Sequence, residues 1–311
     1  MKNNFIKSTI VLIIGGFLSK ILGMFIKIVL TRTITLEGIG IYSMILPTFN
    51  LFITLCSLGL PVAISKLISE KRSVSNKDIV LAPIPFILLF NLILIIVLFV
   101  ISPILSKYLL KNEITYYPLI SIGITLPFIC ISSIIKGYFY GVEKMIPTIV
   151  SNIIEQLMRL FLTITIINRL TRYSLTYAIT GVVLINVLSE GVSILVLLLF
   201  LPKGKKIINK NFSYNKELIK DIFNISIPTT GSRLIGSIAY FLEPIILTYT
   251  LTKAGYSNTF ITREYGIING YVYPLLLLPS FFTMAISNAL LPVISNSYSH
   301  KDYLKCVKYD R

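Results

Sequence analysis

The sequence predicts an all-α polytopic membrane protein of about eight transmembrane helices: a six-helix lobe followed by the first two helices of a second lobe on the same plan. Three observations carry this. First, 55% of the 311 residues are hydrophobic and 14% are charged, with a mean hydropathy of +0.82, whereas a soluble domain carries about 25% charged residues. Second, the charges sit in short stretches between apolar runs, each long enough for the ~20 residues that cross a bilayer as helix. Third, Ser19-Lys20-Ile21-Leu22-Gly23 returns as Ser232-Arg233-Leu234-Ile235-Gly236. Each copy sets a cation inside an apolar segment, where it costs ~2.5–3.5 kcal/mol on insertion scales.

The first helix is expected over 10–31. Gly16, Lys20, Gly23 and Lys27 recur at intervals of four, three and four, which places them on one helical face. Lys20 lies about ten residues, hence ~15 Å, into the helix and so near mid-membrane. Lys27 lies nearer the outer surface, as a further cavity cation or an interfacial anchor. The second helix, 39–64, contains Pro47 and Pro61. The third and fourth are expected over 79–106 and 114–135. The fifth, 146–168, carries Glu155 and Arg159 four residues apart, able to pair along one face. The sixth, 174–201, carries Glu190 with no local cation, so it either bonds to Arg159 or Lys20 or exchanges protons during coupling.

A basic stretch from Pro202 to Lys220 reads as a cytoplasmic linker. An amphipathic surface helix around Asn215–Phe223 is an alternative reading of its end. The seventh helix, 222–252, carries Arg233 about eleven residues in, then Glu243 before Pro244; that proline marks a kink, a hinge or a cation site. The eighth, 266–295, contains Pro274. Pro47, Pro61, Pro244 and Pro274 are the hinge candidates, because transporters tolerate broken helices where backbone lines a cavity. The division is therefore 1–201 for the first lobe, 202–221 for the linker and 222–311 for the start of the second.

Helix one matches helix seven through the repeated motif, and helix two matches helix eight through Pro47 and Pro274. Both pairs run in the same direction across the membrane, so the repeat is parallel, related by an axis along the membrane normal. Six helices precede the linker and two follow it, so the second unit is expected to be truncated; the alternatives are a partner-supplied remainder or the absence of a repeat.

The net charge of +16 follows topology rather than nucleic-acid binding. Of 29 Lys and Arg, eighteen fall at the N-terminus or after even-numbered helices, seven in the opposite loops and four (Lys20, Lys27, Arg159, Arg233) within helices. The positive-inside rule then puts both termini in the cytoplasm of a multi-pass cell-membrane protein, with anionic membrane lipids as secondary partners. Tyr42, Tyr108, Tyr116, Tyr117, Tyr173 and Tyr177 are expected at the interfaces. Three cysteines imply no disulfide framework, and the lysine-bearing first helix reads as retained rather than as a signal peptide.

No enzyme signature is present: the sole histidine is His300, and no phosphate loop or metal-ligand spacing occurs. No catalytic residue, metal or cofactor is expected. Lys20 and Arg233 instead suit an anionic head group in a water-accessible cavity, Arg as a planar fork and Lys as a point charge. The structural alternative pairs each with a buried carboxylate, from Glu155, Glu190 or Glu243.

Ser19-Lys20-Ile21-Leu22-Gly23, Glu37-Gly38-Ile39-Gly40-Ile41-Tyr42 and Leu58-Gly59-Leu60-Pro61-Val62-Ala63-Ile64-Ser65-Lys66 resemble the start of polysaccharide-biosynthesis flippases of the stage V sporulation protein B-like group. Ala254-Gly255-Tyr256, Tyr265-Gly266 and Leu291-Pro292-Val293-Ile294-Ser295 extend the likeness to about Tyr298. The group belongs to the multidrug/oligosaccharidyl-lipid/polysaccharide exporter superfamily. The resemblance implies two six-helix lobes around a V-shaped central cavity working by alternating access. It also implies a polyprenyl-pyrophosphate-linked saccharide as substrate, a cell-wall, capsule or spore-cortex precursor, with other cell-envelope synthesis proteins as partners. Lys20 falls in the group's S-basic-x-L-G motif on the first helix. A drug/cation antiporter of the same superfamily and a truncated, non-transporting membrane scaffold are the other functions considered.

Overall fold

The computed structural model describes residues 2–70, 74–202 and 216–276, with side chains from Ile14 onward. The described secondary structure is helical, and seven helical segments are long and apolar enough to cross a membrane. Helix α1 spans Lys2–Thr33. Thr35 caps α2 (Leu36–Ser57) by accepting from the Gly38 N–H at 3.2 Å, with Glu37 in the first turn, where negative charge favours a helix N-terminus.

The expected second helix is broken. Leu58 (φ 43°) and Gly59 (φ 60°) are both left-handed, and α3 restarts over Leu60–Ser69 with Pro61 in its first turn. That is where a proline's missing N–H removes no helical bond. Pro47 lies within α2 and is buried.

Helix α4 (Asn76–Leu81) is followed by α5 (Ile84–Ile104), which runs into a π turn at Leu105–Leu109. Leu89, Leu92, Ile96, Phe99 and Val100 on α5 are exposed, as a lipid-facing surface requires. Helix α6 spans Tyr116–Gly141, six residues past the expected end, so Lys136 is intrahelical and not in a cytoplasmic loop. Helix α7 (Met145–Leu162) continues through a π turn at Thr163–Ile167 into α8 (Asn168–Leu170). Helix α9 (Leu175–Leu199) is capped by Ser174.

Helix α10 is one continuous helix over Lys216–Lys253, beginning six residues earlier than expected and containing Pro228 and Pro244. Helix α11 (Asn258–Ile267), capped by Ser257, leads through a π turn at Ile268–Val272 into α12 (Tyr273–Leu276), which holds Pro274. The expected eighth helix thus starts eight residues early, and its remainder from 277, with the Leu291-Pro292-Val293-Ile294-Ser295 motif, lies outside the described residues, as do His300 and most of the basic linker.

Side chains of α2, α5, α6 and α9 form the main core, with Met44, Leu98, Leu119, Ile122 and Val183 buried together. A second core joins Leu60, Ile64 and Leu67 of α3 to Ile79 of α4 and Ile222 of α10. Tyr108, Tyr117, Tyr173 and Tyr177 are exposed near helix ends, as interfacial tyrosines are. Tyr42 is instead half-buried inside α2, packed against two core clusters.

Helices α10 and α11, with the turn that follows, pack against the first two helices. The first helix of the second unit, α10, packs along α2, with Thr54 Oγ1 and Ser237 Oγ 2.8 Å apart. Reciprocally, α1 meets the second helix of that unit: Lys27 Nζ donates to the Asn269 carbonyl at 2.6 Å, and the Tyr271 hydroxyl to the Thr31 carbonyl at 3.2 Å. Helices α2 and α11 meet backbone to backbone. A Cβ on Gly266 would stand 2.6 Å from the Gly40 nitrogen.

Candidate functional site

Three helices bring polar side chains to one place inside the first unit. On α7, Ser151, Glu155 and Arg159 recur at four-residue spacing and share a face. On α9, Asn186 and Glu190 are four apart, as are Ser189 and Ser193, and Ser132, Ser133 and Lys136 follow on α6. Helix α6 is drawn close to α3, because a Cβ on Gly137 would lie 2.9 Å from the Pro61 Cα. Such small-residue contacts let membrane helices approach, and this one fixes α6 with Lys136 directed at α7 and α9.

The result is a cavity of about 400 Å³. Phe49 and Ile53 of α2 form one wall, and Ile129 with the serines of α6 another. Glu155, Arg159, Asn152 and Gln156 come from α7, and Asn186 and Glu190 from α9. Arg159 Nη2 donates to Glu155 Oε1 at 2.6 Å, and its Nε donates to Ser189 Oγ at 3.4 Å. Lys136 Nζ stands 3.6 Å from Glu155 Oε2 and 3.5 Å from Glu190 Oε1.

The first contact is a short charge-assisted hydrogen bond; the two lysine contacts lie beyond the 2.7–2.9 Å optimum. Lys136 is therefore shared between two carboxylates rather than committed to one. Two cations balance two anions, so the cluster is internally neutral. Neutrality is what a buried polar group inside a membrane unit needs, since removing one partner of a buried pair costs about 3–5 kcal/mol.

Of the residues singled out in the sequence, Glu155, Arg159 and Glu190 meet here. The cation that reaches Glu190 within ion-pair distance is Lys136. Lys20 and Arg233 do not line this cavity; both are exposed, at mid-length on α1 and α10. Lys27 is half-buried and bound to the carbonyl of Asn269. Glu243 Oε1 accepts from the Tyr265 hydroxyl at 3.3 Å, which ties α10 to α11 beside buried Pro244. Among the described residues no group of His, Cys, Asp and Glu is placed to hold a metal ion.

Lys136 escaped the sequence reading because it lies just beyond the last strongly apolar run. Its signal was the Gly137-x-x-x-Gly141 spacing that follows, which marks a continuing packed helix rather than a loop.

Residues 5–298 match the family described as polysaccharide biosynthesis protein. The chain belongs to this family. Stage V sporulation protein B of Bacillus subtilis is 36% identical over 99% of this chain and 61% of its own length. Lipid II flippase MurJ of the same organism is 22% identical over 97% of the chain and 60% of its length. The chain thus spans about three-fifths of the curated relatives it matches. Among solved structures, an inward-facing multidrug resistance MATE family transporter of the MOP superfamily superposes with a TM-score of 0.64. Its identity is 16%, with 93% of this chain and 64% of that one covered. A MOP superfamily transporter from Pyrococcus furiosus gives a TM-score of 0.63 at 16% identity, covering 99% of this chain and 67% of that one. This member of the polysaccharide biosynthesis family is a multi-pass membrane protein with the fold of MOP transporters.

Proposed function

We propose that the chain forms part of a membrane flippase that moves a polyprenyl-pyrophosphate-linked saccharide, a cell-wall, capsule or spore-cortex precursor, across the cell membrane by alternating access. The observation that carries this is the placement of Lys20 and Arg233. They occupy matching positions of two repeated helices, at mid-length, and both are exposed rather than packed into the core. A cation in that setting marks a substrate path, and a pyrophosphate supplies the acceptor oxygens for an Arg fork and a Lys point charge. Both termini are assigned to the cytoplasm by the basic loops, and the chain works as a transporter, not an enzyme. The family membership and the two flippase and sporulation relatives support the same substrate class.

A drug/cation antiporter would use unpaired cavity carboxylates. Glu155 and Glu190 sit within 3.6 Å of Lys136, which speaks against that reading.

Binding of a fluorescent polyprenyl-pyrophosphate disaccharide to the purified chain in nanodiscs tests the assignment. Lys20→Ala and Arg233→Ala should each weaken binding at least about ten-fold, the scale of a lost charged hydrogen bond, with membrane insertion intact. Parental affinity in both variants would sink the cavity-cation reading. Movement of the same lipid in proteoliposomes separates a transporter from a scaffold.

A further inference from the structure

We infer that the cavity between α6, α7 and α9 is a binding subsite for a neutral sugar ring, separate from the cations that meet the pyrophosphate. The identity of the ligand follows from the cavity's charge balance, its amide side chains and its apolar wall. Each carboxylate in it already stands within 3.6 Å of Lys136, and Glu155 also holds Arg159 at 2.6 Å. A metal cation or an inorganic anion entering this space meets charges already in balance and gains little net attraction. An uncharged polyhydroxyl ligand breaks none and adds hydrogen bonds to them.

The cavity wall also carries neutral polar side chains. Asn152, Gln156 and Asn186 line it, and each amide both donates and accepts hydrogen bonds, as a sugar hydroxyl does. Asn186 donates through Nδ2 to the Val182 and Val183 carbonyls, both at 3.1 Å. That bonding fixes its amide orientation and turns the acceptor oxygen away from the helix backbone. Phe49, Ile53 and Ile129 supply an apolar wall, the complement of the C–H face of a pyranose. The volume of about 400 Å³ falls at the lower end of the ~300–1,000 Å³ range of small-molecule sites, which suits one or two rings.

As a proposal about the saccharide part of the substrate, this rests on the flippase reading, and its test uses no lipid. Saturation-transfer NMR is recorded on the chain in a non-glycosidic detergent, with methyl glucoside and N-acetylglucosamine as probes. Transfer to ring protons is expected, falling about ten-fold in apparent affinity in Gln156→Met and in Asn152→Leu, and unchanged in Tyr173→Phe, an exposed residue outside the cavity. Size-exclusion profiles matching the parent confirm that each variant folds.

Absence of transfer, or equal transfer in both cavity variants, overturns the inference. So does displacement of the signal by sodium chloride or pyrophosphate instead of by excess sugar. Lost lipid-pyrophosphate binding alongside an intact, cavity-dependent sugar signal removes the flippase reading and leaves this subsite standing. The reverse outcome removes the subsite alone.

Discussion

Replacing Lys136 by Met tests the charged cluster most directly. The side chain is 18% exposed, and Nζ faces two carboxylates at 3.5 and 3.6 Å. At an effective dielectric of about 20, each contact is worth roughly 5 kcal/mol of Coulomb attraction before desolvation is counted. Removing the lysine leaves Glu155 with Arg159 but takes from Glu190 its nearest described cation.

Breaking a buried pair costs about 3–5 kcal/mol, and the long distances and partial exposure place this case near 3 kcal/mol. With an unfolding entropy of ~2.1 cal/mol/K per residue over the chain, that is a fall of about 5 °C in Tm. Helices that persist in detergent lower the entropy and make the fall larger. Glu190→Gln should cost less, because it leaves Lys136 beside Glu155. The double variant Lys136→Met/Glu190→Gln keeps the cluster neutral and should recover most of the loss, giving a coupling of about 2 kcal/mol. Thermal unfolding followed by fluorescence-detected size exclusion reads all three. Single variants within a degree of the parent, or a double variant worse than either single, would refute the reasoning.

Arg159→Lys should lower stability by about 1–2 kcal/mol, because a lysine cannot reproduce the fork that reaches both Glu155 and Ser189; chemical unfolding measures it. Gly266→Ala puts a methyl 2.6 Å from the Gly40 nitrogen and should destabilise by about 1–3 kcal/mol through overpacking, while the same change at Gly236, which has open space around it, should be far milder. A double-mutant cycle of Thr54→Ala and Ser237→Ala should give a coupling near 0.6 kcal/mol, the average for hydrogen bonds between membrane helices. A value of zero would show that the 2.8 Å contact contributes nothing.

The all-helical, membrane-spanning architecture was legible because it rests on long-range pattern: apolar runs of spanning length with the charges confined to short stretches between them. The Glu155–Arg159 contact was legible too, since four-residue spacing dictates proximity whatever surrounds it. Details that depend on contact between distant segments were not. The break at Leu58–Gly59 is imposed where α10 presses on the chain, a Cβ on Gly59 lying 3.0 Å from the Ser226 carbonyl. Glycine before Leu60-Pro61 was its only local sign. Lys136 was assigned to a loop because a lysine after an apolar run reads as a helix end. Only the carboxylates of α7 and α9, on other helices, make its position inside the unit affordable. The partner of Lys27 is a backbone carbonyl across 242 residues, which no spacing rule reveals.

The glycine crossing of α2 and α11 has a mechanical consequence. Helices that interlock through side chains have a few preferred angles, because ridges must fall into grooves. Where Gly40 meets Gly266 the backbones touch directly, with Thr262 closing over Gly40, and Ile261 and Tyr265 of α11 share one core with Ile41 and Met44 of α2. The joint is a rigid coupling that holds its angle. Since α10 is 38 residues long, or ~57 Å at 1.5 Å per residue, a lever of that length turns a rotation of about 10° into a sweep of roughly 10 Å at its far end. A coupling that fixes the angle at one end therefore fixes where the other end stands.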